Sequence, residues 1–172
     1  MLLKVMAACL LTIFSTCAAG SISARYNEKG RLLAGLAESL LRMKSAIGFS
    51  AKSIHEIIKD LAKGEEGWRM FYKTLEQYLS SDKEAPLSKA FAKARNEFST
   101  EYQFKEEDLQ PVALLGDSIE QSDITYICNA IQAAADNLAA KSKEYIGYYK
   151  SKAKVYNSIG LIIGLFSSIL LL

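Results

Sequence analysis

His55 is the only histidine in the chain, so a Ser-His or Cys-His mechanism, in which an imidazole takes the proton of a hydroxyl or thiol, has one residue to draw on. It stands beside Glu56 in a stretch with helical periodicity and lacks the sequence partners of a catalytic set, so a partly exposed helical histidine explains it. Asp117 and Asp123 flank a turn and have the residue type of a paired-carboxylate acid-base system. Capping and solvation explain two acids at a helix junction more cheaply. Gly64-Glu65-Glu66-Gly67 lacks the glycine spacing and the Lys-Ser/Thr pair that grip phosphate and magnesium, and reads as a loop. Cys9, Cys17 and Cys128 form no pair with disulfide or zinc-ligand spacing, and each reads as a small buried hydrophobe. Lipid modification of Cys17 is disfavoured by the preceding Phe14-Ser15-Thr16. No catalytic residue, cofactor site or metal site emerges, and the chain reads as non-enzymatic.

What the sequence does specify is two long uncharged segments. Residues 5–24 and 155–172 carry no charge, while every acidic residue and all basic residues but Lys4 fall between Arg25 and Lys154. A bilayer core about 30 Å thick takes roughly 20 apolar residues of helix, and segments of twenty and eighteen residues suffice. The expected organisation is an N-terminal transmembrane segment over 1–24, a helical domain over 25–154 and a C-terminal transmembrane segment over 155–172. The first segment also fits a signal peptide, with Lys4, an apolar run to Phe14 and the small residues Ser15 to Gly20.

Cytoplasmic flanks of membrane helices are enriched in lysine and arginine. Arg25, Lys29 and Arg31 follow the first segment, and Lys141, Lys143, Lys150, Lys152 and Lys154 precede the second, so both ask for a cytosolic middle. Cleavage of the first segment would instead give an exported, tail-anchored structural protein and put five lysines on the disfavoured side of the remaining anchor. The middle holds twenty basic and nineteen acidic residues, without the basic excess that displaces phosphate counterions, which argues against nucleic acid.

Its periodicity is helical throughout, and apolar residues never alternate long enough for a strand. Leu33, Leu36, Leu40, Met43 and Ile47 form a stripe that should stop near Gly48. Ser53 and Glu56 make a capping box for a helix with Ile54, Ile57, Ile58 and Leu61, and Gly64 should end it in the left-handed conformation. Trp68, Phe71, Tyr72, Leu75 and Leu79 form the next face. Pro86 is expected at the first position of a helix carrying Leu87, Phe91, Ala94 and Phe98. A short helix follows with Leu109, Val112, Leu115 and Ile119, Pro111 in its first turn and Glu106-Glu107-Asp108 at its positive end. Ser122 is a natural N-cap for the last helix, where Ile124, Ile127, Ile131, Ala134 and Leu138 run on through Tyr145, Tyr149 and Tyr156 into the terminal segment, about 75 Å at 1.5 Å per residue. Tyr145, Tyr148, Tyr149 and Tyr156 lie among lysines near the bilayer, where amphipathic rings favour the headgroup level, or they pack on the first helix. The fold class is all-α: a bundle of about five to six helices flanked by membrane helices.

Leu115-Gly116-Asp117-Ser118-Ile119-Glu120-Gln121-Ser122-Asp123, a long Ala- and Lys-rich helix, and the run Lys154-Val155-Tyr156-Asn157-Ser158-Ile159-Gly160-Leu161-Ile162-Ile163-Gly164-Leu165 together resemble the stage III sporulation protein AB family. The leading segment with Lys4 and Arg25 around it and the helix ending Ala46-Ile47-Gly48-Phe49 agree. Ile119-Glu120 and Gln121 stand where the family has Leu-Gly before its Ser-Asp pair, and Ile127 replaces a glutamine one turn after the aspartate, so a contact centred on that glutamine is not carried over. The resemblance implies a helical domain like those of type II secretion F proteins, endospore formation, and a place in the mother-cell membrane around the forespore. It also implies partners: a stage III sporulation protein AA-like secretion ATPase and membrane subunits of a channel complex.

The reading that follows is a membrane adaptor that couples this ATPase to those subunits. Glu106, Glu107, Asp108, Asp117 and Asp123 are the expected docking residues, with a solvated loop as the alternative. Gly160 and Gly164 form a Gly-x-x-x-Gly face for packing of membrane helices.

Overall fold

A computed structural model of the chain describes the backbone over residues 2–50, 52–81, 86–120 and 123–171. It describes side-chain surroundings over 24–50, 52–81, 86–120 and 123–151, with Val155, Ser158, Ile162 and Phe166. Among these residues there is no strand. The elements are α1 (Leu2–Phe49), α2 (Ile54–Leu61), α3 (Arg69–Ser81), α4 (Leu87–Tyr102), a 3-10 turn (Glu106–Asp108), α5 (Gln110–Ile119) and α6 (Ile124–Leu171). The all-α expectation holds, and the last helix runs without interruption, as its unbroken periodicity required. The transmembrane expectations fall on residues 1–24 and 155–172, which lie almost wholly outside the described side chains, as do Gly160 and Gly164. Among the described residues no helix is long and apolar enough to cross a membrane. The chain divides into two compact units, residues 1–30 with 143–172, and residues 31–142.

The core of the 31–142 unit is the set of helical stripes. Leu33, Leu36, Leu40 and Met43 of α1 have no exposed surface, because steps of three and four hold them on one face. Phe71, Tyr72, Leu75 and Leu79 of α3, Phe91, Ala94 and Phe98 of α4, Val112, Leu115 and Ile119 of α5 and Ile127, Ile131, Ala134 and Leu138 of α6 are buried as well. Burial of each large side chain stabilises the fold by about 1.5–3 kcal/mol. Consecutive helices from α2 to α5 pack against one another. The Phe71 ring meets Phe91 and Phe98 edge-on at centroid distances of 5.7 and 6.3 Å, the arrangement that ring quadrupoles favour.

Two contacts fix α1 against α3. Gly35 leaves room for Trp68: a Cβ there would lie 2.2 Å from the indole Cδ1. The buried Tyr72 hydroxyl lies 2.9 Å from Ser39 Oγ, which itself donates to the Leu36 carbonyl at 2.6 Å. Since the serine proton is committed to that carbonyl, the tyrosine donates. Burial pushes the Tyr72 phenol far above its ordinary range, against a smaller opposing effect of the Ser39 hydrogen bond.

The ends of the helices show where local signals were sufficient. Ser53 Oγ accepts the Glu56 N–H at 3.3 Å and Glu56 accepts the Ser53 N–H at 2.8 Å, the expected capping box. Gly64 has φ 114, although α2 has already ended at Leu61. Pro111 stands in the first turn of α5. Pro86 is corrected from the first helical position to the N-cap of α4, and it supplies no side-chain cap, having no acceptor to offer. The cap comes from elsewhere: Glu120, just beyond α5, accepts the Ser88 N–H at 2.9 Å. That bond holds its carboxyl below the usual range. Ser122 lies outside the described residues, and Asp123 caps α6, accepting the Thr125 N–H at 2.8 Å.

Candidate docking face

Glu106, Glu107 and Asp108 lie in a 3-10 turn of their own immediately ahead of α5, at its positive end as expected. Pro111 prevents any extension of the ladder through its missing N–H, so the chain tightens into a separate turn. The three acids then part company. Asp108 is 2% exposed; its Oδ2 accepts the Lys105 N–H at 3.0 Å, and its Oδ1 lies 3.9 Å from Nζ of Lys141 on α6. That carboxylate closes the turn and ties it to α6. Glu106 and Glu107 remain exposed, with Lys105 Nζ 3.5 Å from Glu107 Oε1.

Together with Arg95 of α4 and Gln110, Ala113 and Leu114 of α5, these residues line an open groove of about 770 Å³. Leu114 is 62% exposed at its edge. Asp117 is also exposed and follows Gln110, Ala113 and Leu114 by seven, four and three residues, which puts it on the same helical face. The lining is mostly charged and polar, with Ala113 and Leu114 its apolar members. Leu114 escaped the sequence reading, although a signal existed: it falls off the stripe of Leu109, Val112, Leu115 and Ile119, all buried.

Asp123 is exposed but is engaged in capping α6. Among the described residues no hydrogen bond joins it to Asp117, so the two carboxylates are not held as an acid-base pair. Beyond Asp123, Ile124 and Tyr126 are 59% and 53% exposed, whereas the helical stripe had placed Ile124 in the core. Ile127 is 5% exposed and packs inward.

His55 lies on a second, smaller groove of about 420 Å³ between α2 and α3, lined also by Glu56, Ile58, Lys59, Glu76, Leu79 and Ser80. Its carboxylate neighbour Glu56 is engaged with Ser53, and the histidine itself is exposed. Cys128 is half-buried and free rather than fully enclosed. Among the described residues no group of three or more His, Cys, Asp or Glu is placed to hold a metal ion.

The family described as stage III sporulation protein AB matches residues 4–172. No curated protein and no solved structure matches. The family match takes in α1 to α6 and the 3-10 turn alike, and the chain therefore belongs to the stage III sporulation protein AB family.

Proposed function

We propose that this sporulation protein is a non-enzymatic membrane adaptor. Its apolar ends, residues 1–24 and 155–172, hold it in the mother-cell membrane around the forespore. Its helical domain in the cytosol offers the groove over the 3-10 turn and α5 to a secretion-type ATPase of the stage III sporulation protein AA kind, and the membrane segments meet the other channel subunits. Gly160 and Gly164 supply a close-packing face for those segments.

The observation that carries this reading is Leu114, an exposed leucine at the edge of a groove whose margin holds Glu106 and Glu107, with Asp117 one turn farther along the same face. Protein interfaces bury apolar groups within a polar rim. Coupling two partners needs such a surface and an attachment, with no reacting group.

The test is co-purification of the ATPase with the full chain from detergent-solubilised membranes of sporulating cells. Leu114 is largely exposed, so Leu114→Asp leaves the domain folded and weakens capture by about tenfold, the loss of about 1.4 kcal/mol. Charge reversal at Glu106 and Asp123 also weakens it, and Asp123→Ser, which keeps a cap on α6, separates loss of charge from loss of the helix start. Full capture by Leu114→Asp and by the charge reversals would discard this face.

A further inference from the structure

The near-neutral total hides a partition of charge. Residues 31–142 carry fourteen basic and seventeen acidic side chains, a net charge of −3. The flanks 25–30 and 143–154 carry six basic residues, Arg25, Lys29, Lys143, Lys150, Lys152 and Lys154, against Glu28 and Glu144, a net charge of +4 in eighteen residues. These flanks belong to the other unit, residues 1–30 with 143–172.

Within that unit α6 presents an unusual sequence of side chains. Lys143, Gly147 and Lys150 follow one another in steps of four and three, hence along one helical face, and all three are exposed. Glycine inside a helix costs about 1 kcal/mol relative to alanine, and no packing need explains Gly147, since a Cβ there would meet nothing within 4 Å. Gly147 therefore stands open between two exposed lysines of the same helical face. On a different face of α6, the Tyr148 ring, 42% exposed, lies 4.7 Å from the Tyr26 ring, and Tyr145 lies 6.0 Å from the same ring. Tyrosines of this kind favour the headgroup level of a bilayer. The contacts with Tyr26 also place Tyr145 and Tyr148 on the first helix, as one of the two sequence readings had it.

We infer that this unit binds the phosphodiester headgroup of an anionic phospholipid through Lys143 and Lys150. The inference rests on the membrane attachment proposed above and adds a lipid preference to it. The ligand is anionic rather than zwitterionic because a choline or ethanolamine cation on the same headgroup cancels the attraction to the lysines, each worth about fivefold in binding near an anionic surface. Glu144 and Glu28 are the acids of these flanks, and they leave the positive excess in place.

The experiment uses the full chain reconstituted in phosphatidylcholine vesicles containing traces of spin-labelled phosphatidylglycerol or spin-labelled phosphatidylcholine. The motionally restricted fraction of each label reports relative association. Phosphatidylglycerol should be preferred at least about fivefold at low salt, the preference should fall to near parity in K143Q/K150Q, and it should persist in K143R/K150R. Millimolar inorganic phosphate should leave it unchanged, because the site reads a headgroup held at the membrane. The inference is overturned by equal association of both labels with an embedded wild-type chain, by an undiminished preference in K143Q/K150Q, or by displacement with free phosphate. A chain that fails to float with the vesicles overturns the membrane attachment, and this site with it.

Discussion

Side chains that look interchangeable in the sequence acquire separate duties once their partners are known. Ser39 and Tyr72 form a buried relay ending at the Leu36 carbonyl, and the direction of donation makes their substitutions unequal. Tyr72→Phe leaves Ser39 donating as before and should cost about 0.5–1.5 kcal/mol. Ser39→Ala strands a buried phenolic donor and should cost about 1–3 kcal/mol. Denaturant unfolding of the full chain in detergent checks the order, and a larger loss for Tyr72→Phe would show that the proton runs the other way. The acids of the candidate face divide similarly, with Asp108 turned inward to Lys141 and Glu106 and Glu107 facing water. Composition could mark the acidic run but not that division, because inward or outward placement of one carboxylate depends on α6, far away in the chain. Glu120 is a parallel case: noticed as a departure from the family pattern, it is the cap that Pro86 cannot provide for α4.

At the scale of elements, periodicity was a reliable guide because each stripe needs only its own helix to be recognised. Leu33 to Met43, Phe71 to Leu79 and Leu109 to Ile119 are buried almost as spaced. The misreading at a helix start is Pro86, where the deciding acceptor, Glu120, is non-local. The start of α2 was legible because its capping box is wholly local, and it gives that helix an acid sensitivity. Asp60 accepts from Lys52 at 2.5 Å and from Lys63 at 2.6 Å. These side-chain bonds, with the lysine charges behind them, lower its carboxyl from 3.8 to about 2. The Ser53 backbone and hydroxyl bonds lower that of Glu56. Both carboxyls are depressed in the folded state, so their contribution is present at neutral pH and is lost as pH falls, for Asp60 between 3.8 and about 2. Hydrogen exchange in α2 should therefore quicken below about pH 4, relative to α3 and α4, and Asp60→Asn should flatten that dependence. An α2 whose protection is constant down to pH 2.5 would contradict the ion-pair assignment.

For the molecule as a whole, the informative quantity is how polarity is distributed along the chain. A slightly acidic helical unit carries the groove, and a basic pair of flanks adjoins uncharged segments of membrane length. That arrangement was legible from charge positions alone, whereas the groove required α4, the 3-10 turn and α5 to be brought together. The adaptor reading makes one demand above others, that a partner ATPase touches the domain at Leu114. Photocrosslinking in sporulating cells tests it most directly, with a photoreactive amino acid placed at Leu114 and, for comparison, at Glu76 on the groove beside His55. The expected result is a covalent adduct with the ATPase from position 114, recovered in the membrane fraction, and none from position 76. A membrane-bound chain that yields no ATPase adduct from position 114, or yields it equally from both positions, would contradict the proposed docking face.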